Sequence, residues 1–174
     1  MLIVGAGGGV NSTAIQLAKI LGAHVIALTS SPEKEQRARQ LGATHTINYR
    51  TQPEWAKQVR ALTGGRGADV IVDNVGAATI PESLKAAARG GRIVTVGNTS
   101  GPMVNYDNRY LFSKQLSLLG STMGSRRDFE EVLRFLETGE LRPVIDVELP
   151  MSRGVEAFQR LERGEQFGKI VLSR

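Results

Sequence analysis

The chain has 174 residues, no cysteine, two histidines and 20 glycines, with 22 Lys+Arg against 17 Asp+Glu for a net charge of +5. That length suits one ordinary domain with a small appendage, and the lack of cysteine excludes a disulfide framework, thiolate zinc sites, iron–sulfur clusters and a cysteine nucleophile. At 41% apolar and 22% charged residues the composition is globular, and no apolar run approaches the roughly 20 residues that span a bilayer, so a soluble cytoplasmic protein is expected.

In chain order, short β-branched runs alternate with longer helical patterns. Leu2-Ile3-Val4 is an apolar run that ends in the cluster Gly5-Ala6-Gly7-Gly8-Gly9. Val10, Ala14, Leu17, Ala18 and Leu21 then recur at helical spacing, and Gly22 closes the helix. Val25 to Leu28 is a second strand, and Ser31-Pro32-Glu33 supplies the cap, first-turn proline and acid of a helix that runs to Leu41-Gly42. After a short strand at Thr46-Ile47-Asn48, Thr51-Gln52-Pro53-Glu54 reads as a capping box, opening a helix with Trp55, Val59 and Leu62 on one face. Thr63 to Gly67 is a loop and Val70-Ile71-Val72 a strand. A helix from about Pro81 to Ala88, a strand at Ile93 to Val96, and a loop from Asn98 to Asn108 follow. Leu116 to Leu119 is a strand, and Phe129, Val132, Leu133 and Leu136 mark an amphipathic helix closed by Gly139. Past Leu141 the rhythm loosens: Val144 to Leu149 is extended, Val155, Phe158 and Leu161 are helical, and Lys169 to Leu172 is a last strand.

Strands alternating with helices imply parallel pairing, and near-continuous apolar strands imply a sheet covered on both faces. The expected fold is therefore α/β, a Rossmann-like doubly wound parallel sheet over residues 1–140, with a C-terminal helix–strand extension over 141–174.

The glycine cluster is the strongest chemical signal. Between a strand and a helix, glycines let the backbone approach a pyrophosphate whose charge is met by the N–H groups at the helix start. Gly5 and Gly7 fit the first two places of G-x-G-x-x-G, with Val10 at the third; read as G-x-x-G-x-x-G, the cluster uses Gly5 and Gly8, with Asn11 last. Three strands end alike, at Val4-Gly5, Val75-Gly76 and Val96-Gly97, as expected where a flat ligand crosses the carboxyl ends of a sheet. An NAD site usually carries an acid at the end of the second strand. Here Thr29, Ser30 and Ser31 stand there, with Lys34 and Arg37 in the next turns, which favours the 2′-phosphate of NADP over NAD. The same hydroxyls speak against a methyltransferase-like domain.

No catalytic group and no metal ligand set is evident. His24 and His45 are isolated, Asp73 has no visible partner and reads as a loop-ordering residue, and no serine sits in a nucleophile elbow. Lys and Arg are scattered, the longest basic run is Arg126-Arg127, and aromatics make up 5%, so nucleic-acid binding is not expected.

Gly5-Ala6-Gly7-Gly8-Gly9-Val10 with Ala14 to Lys19 and Leu21-Gly22-Ala23, then Thr63 to Val70, Val72 to Gly76, Gly90-Gly91-Arg92 and Phe167 to Leu172, resembles the nucleotide-binding region of medium-chain dehydrogenases/reductases. The resemblance covers essentially the whole chain and looks closest to the quinone oxidoreductase and zinc-type alcohol dehydrogenase-like branches. It implies NAD(P)H-dependent hydride transfer to or from a carbonyl, an alcohol or an activated double bond. It also implies that Gly8, Gly9 and Val10 hold the pyrophosphate, Ser30, Lys34 and Tyr49 the 2′-phosphate and adenosine, and Asn74 and Val75 the cofactor's middle. Gly97, Asn98 and Thr99 would stand near the nicotinamide. Asn11 departs from the family's usual glycine.

Family members carry an N-terminal catalytic domain that holds any zinc, and this chain starts at the first Rossmann strand. It is expected to bind cofactor without turning over substrate alone, with Val155 to Leu172 repacked or leaving apolar surface exposed. A stand-alone nucleotide-binding or sensing module is the alternative. A homodimer through the edge strand Leu116–Leu119 is also implied.

Overall fold

Along the first strand, β1 (Leu2–Val4), Leu2 and Val4 join one buried cluster and Ile3 another; along β2 (Ile26–Thr29), Ile26 and Leu28 join the first and Ala27 the second. Two apolar faces on one strand require cover on both sides of the sheet. The structure, a computed structural model describing residues 1–174, supplies that cover. On one side Trp55 and Val59 of α3 (Trp55–Leu62) and Leu84 of α4 (Ile80–Ala86) pack with Leu2 and Val4. On the other, Ile15 and Ala18 of α1 (Gly9–Ile20) and Ala38 of α2 (Pro32–Leu41) pack with Ile3 and Ala27.

The sheet has six strands. β3 (His45–Asn48), β4 (Ala68–Asp73), β5 (Ala87–Thr95) and β6 (Ser117–Gly120) complete it in the order β3-β2-β1-β4-β5-β6, all parallel. This is the expected Rossmann-like doubly wound sheet. The order reverses between β1 and β4, so a crevice opens above their carboxyl ends, where ligands of this architecture bind.

Several local expectations are corrected. The capping box at Thr51 does not form: the Thr51 hydroxyl donates to the Asn48 carbonyl at 3.2 Å, and α3 starts after Glu54 without a side-chain cap. Leu62 is exposed although Trp55 and Val59 are buried. α4 ends at Ala86, because Ala87 already pairs with Ala68 before a bulge shifts the register to Val70↔Arg92. Strand pairing there overrides the helix propensity of a run of alanines. α5 (Asn108–Ser113), capped by the Asp107 side chain, packs Tyr110 and Leu111 partly buried against the first cluster, but its six residues are too few to show an apolar period.

The amphipathic helix α6 (Arg126–Glu137) carries a capping box in which Ser125 and Asp128 bond reciprocally. Beyond it, β7 (Ile145–Pro150), α7 (Gly154–Glu162) and β8 (Lys169–Ser173) form a separate parallel pair with a helical crossover. Val155 and Phe158 of α7 are 74% and 71% exposed, whereas Phe167, ahead of β8, is 1% exposed and inserts beside Ile3 and Ala38. Gln16 of α1 exchanges two hydrogen bonds with the Arg142 backbone, each 3.0 Å, which also ties this unit to the main sheet. No helix is long and apolar enough to cross a membrane.

Candidate functional site

Gly5 turns the chain out of β1 with φ +81°, a conformation that a β-carbon strains. The chain then enters α1, whose N-terminus has neither a capping side chain nor an acid in its first turn. Its N–H groups and dipole thus face the crevice without a local anion, an arrangement suited to a phosphate.

Asn11 explains itself in the structure. Its side-chain amide donates to the carbonyls of Val4 at 2.7 Å and Gly5 at 2.8 Å, and its oxygen accepts from the Asn74 amide at 2.8 Å. Asn74 in turn accepts from the Val96 N–H at 3.1 Å, while its carbonyl receives the Thr99 N–H at 3.3 Å. The ends of β1, β4 and β5 are therefore pinned together by two asparagines. Asp73 serves as the loop-ordering residue expected of it: fully buried, its carboxylate accepts from the N–H groups of Val75 and Gly76 and from the hydroxyls of Thr79 and Ser83.

A groove of about 410 Å³ runs across this platform. It brings together ten of the twelve residues expected at the cofactor: Gly5, Gly8, Gly9, Val10, Ser30, Lys34, Tyr49, Asn74, Val75 and Thr99. Gly97 and Asn98 lie instead in a second cleft of about 570 Å³, lined also by Gly76, Ile80, Val104 and Leu118. The chain passes from one cleft to the other between Asn98 and Thr99, where the Thr99 N–H is held by the Asn74 carbonyl.

At the groove's far end the chain gathers positive charge. Lys34, Arg50 and Arg163 line it together. Burial, and then repulsion from Arg50, holds the Lys34 ammonium below the ordinary lysine range, and its Nζ donates to the Gly164 carbonyl at 2.5 Å. Arg37, expected beside a phosphate, points elsewhere: it donates to Asp146 at 2.6 Å and to the Phe167 carbonyl at 3.0 Å.

Four groups here escaped the sequence reading. Arg50 adjoins Tyr49, but Arg163 and Gln166 come from the loop before β8, far along the chain, with no local pattern to single them out. Lys169 lays its side chain over Gly9, where an added β-carbon would meet it. An added β-carbon at Gly7 would stand 3.2 Å from the Gln166 carbonyl, so loop and glycine cluster are in close contact.

Two buried side-chain oxygens lack any hydrogen-bond partner, Thr29 Oγ1 and Gln166 Oε1, and both residues line this groove. Each such orphan costs about 1–3 kcal/mol, which a ligand bearing donors and acceptors would recover. With the uncapped helix and the three cations, these orphans fit a nicotinamide dinucleotide. The chain contains no group of three His, Asp or Glu side chains placed to hold a metal ion.

Residues 9–138 match the family model described as zinc-binding dehydrogenase. An NAD-dependent alcohol dehydrogenase of Sulfolobus acidocaldarius is 36% identical over 99% of this chain and 49% of its own length. The crystal structure of an NAD-dependent alcohol dehydrogenase superposes with a TM-score of 0.94 at 46% identity, over 99% of this chain and 50% of that one. A 2-octenoyl-CoA carboxylase reductase, solved with NADP and 2-octenoyl-CoA, superposes with a TM-score of 0.89 at 28% identity, over 98% of this chain and 42% of that one. The chain spans about half the length of the curated relatives it matches.

Proposed function

Because the chain belongs to the zinc-binding dehydrogenase family, among the medium-chain dehydrogenases/reductases, we propose that it is the NADP(H)-binding part of a cytoplasmic oxidoreductase. The reaction moves a hydride to or from a carbonyl, alcohol or quinone/enone substrate. The observation that carries this reading is the groove itself: an uncapped helix N-terminus at one point, a cluster of Lys34, Arg50 and Arg163 at the other, and two orphaned oxygens in its wall.

In this reading Gly8, Gly9 and Val10 bind the pyrophosphate, and Ser30, Lys34 and Tyr49 bind the adenosine with its 2′-phosphate. Asn74 and Val75 orient the cofactor's middle, and Gly97, Asn98 and Thr99 stand near the nicotinamide. The nicotinamide supplies the hydride, and the chain's own residues bind and orient. The cleft beside Gly97 has apolar walls at Ile80, Val104 and Leu118, which supports an apolar substrate or ring on that side.

Residues 1–140 form the cofactor domain, and residues 141–174 pack against a catalytic domain in the working enzyme. The exposed apolar side chains of Val155, Phe158 and Leu161 on α7 support that assignment. The 174-residue chain then binds cofactor without turning over substrate. Calorimetric titration should give saturable binding of NADPH, tighter than that of NADH. No binding of either at millimolar concentration overturns the proposal.

β6 ends the sheet, all four of its residues are exposed, and its outer edge is unpaired. Such an edge pairs readily with another strand, and we assign it to a homodimer interface. Light scattering at micromolar concentration should return twice the chain mass, whereas a monomer mass refutes the dimer.

A further inference from the structure

Asp146 lies on β7, outside the groove, and its side chain is 2% exposed. Its carboxylate nevertheless joins three separate elements. One oxygen accepts from Arg37 of α2 at 2.6 Å and from the Phe167 N–H at 3.2 Å, and the other accepts from Arg160 of α7 at 2.8 Å. Arg37 closes the circuit by donating to the Phe167 carbonyl at 3.0 Å and lying 4.8 Å over its ring. A charge-assisted node, in which two arginines each give the carboxylate one bond, fixes the backbone of Phe167 as well as its side chain.

What Phe167 fixes is the groove wall. The preceding residue, Gln166, holds one of the two orphaned oxygens, and its carbonyl abuts Gly7. Gly164 receives Lys34, and the Gly168 N–H donates to the Gly7 carbonyl at 2.8 Å. Without the carboxylate, Arg37 and Arg160 would repel one another and the Phe167 N–H would lose its acceptor. Adenosine brings hydroxyl and amine donors, which an unpartnered amide oxygen is built to accept.

We propose that Asp146 is a positioning residue for the adenosine end of the cofactor, acting at a distance by holding the loop from Arg163 to Phe167 so that the Gln166 side chain meets the bound adenosine. The proposal rests on the dinucleotide-binding reading and adds to it a contact and the residue that sets it. A purely structural role for Asp146 would lower stability without coupling it to Gln166.

The test is a double-mutant cycle on the full chain, with NADPH as the probe and fluorescence titration as the readout. Asp146→Asn should weaken NADPH about tenfold, and Gln166→Ala about fivefold. The double variant should be no weaker than Asp146→Asn alone, since the second change removes a contact already lost. The Gln166 side-chain amide signal in nitrogen-15 NMR should shift on NADPH addition in the parent chain and not in Asp146→Asn. If Asp146→Asn fails to fold, Arg160→Gln keeps the carboxylate paired with Arg37 and should show the same coupling with smaller loss. Independent, additive effects, or unchanged NADPH affinity in a folded Asp146→Asn, overturn the proposal while leaving the cofactor assignment intact. A parent chain that binds no NADPH fails the cofactor assignment itself.

Discussion

Replacing Asp73 by alanine should lower stability by about 4 kcal/mol, because it strands two backbone N–H groups and two hydroxyls in a fully buried site. Asp73→Asn should cost far less, about 1 kcal/mol. Its amide oxygen can keep the N–H groups of Val75 and Gly76, and the Ser83 hydroxyl can reverse to accept from the amide nitrogen. The contrast matters because no cation faces this carboxylate: what the site needs is an acceptor on the Val75 side, not a charge. Urea unfolding of both variants measures it, read as midpoints at constant slope. Equal losses would mean that the charge itself is required. Because Asp73 shapes the turn that carries Asn74 and Val75, Asp73→Ala should also weaken any ligand lying across the strand ends.

If the 2′-phosphate lies at the cation cluster as proposed, Lys34→Glu should weaken NADPH about 100-fold and NADH about threefold or less, because reversal adds repulsion of that phosphate to a lost charged hydrogen bond. Paired calorimetric titrations decide it, and equal effects on the two cofactors refute the 2′-phosphate assignment. A pH series gives an independent check. Burial and Arg50 hold the free Lys34 ammonium below its ordinary range, and a bound dianion pushes it back up. NADPH affinity should therefore fall as pH rises through the free-state value, while NADH affinity stays level.

The elements that were legible in the sequence carry their own local signals. Ser31, Pro32 and Gly42 mark both ends of α2, and the structure uses all three: Ser31 as the N-cap, Pro32 in the first turn, and Gly42 in the left-handed conformation. The glycine cluster was legible for the same reason, since strand, turn and helix follow one another within twenty residues. Very short elements were not: α5, six residues long, packs Tyr110 and Leu111 on the core without completing an apolar period, and only the tie of Asp107 to Arg109 marks its start. The end of α4 was misplaced because Ala87 takes its conformation from Ala68, nineteen positions away, and not from its own propensity. At the site, the divide falls between near and far. Ser30, Lys34 and Tyr49 lie at ends of neighbouring strands and helices, whereas Arg163 and Gln166 reach the groove, and Lys169 reaches Gly9, from a distant segment whose Phe167 is buried in the core. Asn11 was visible as a departure from a motif, but its three hydrogen bonds could not be read without the carbonyls it serves.

The bond from the Gly168 N–H to the Gly7 carbonyl, and that from Lys34 to Gly164 across 130 positions, also set an order of events. Contacts so distant along the chain form late, after nearer ones have paid the entropy of closure. On a ribosome, β1 to β6 can pair while the loop before β8 is still unmade. The sheet is therefore expected to form before the loop from Arg163 to Phe167 docks on the glycine cluster, so that a nascent chain would have a folded core ahead of a complete groove.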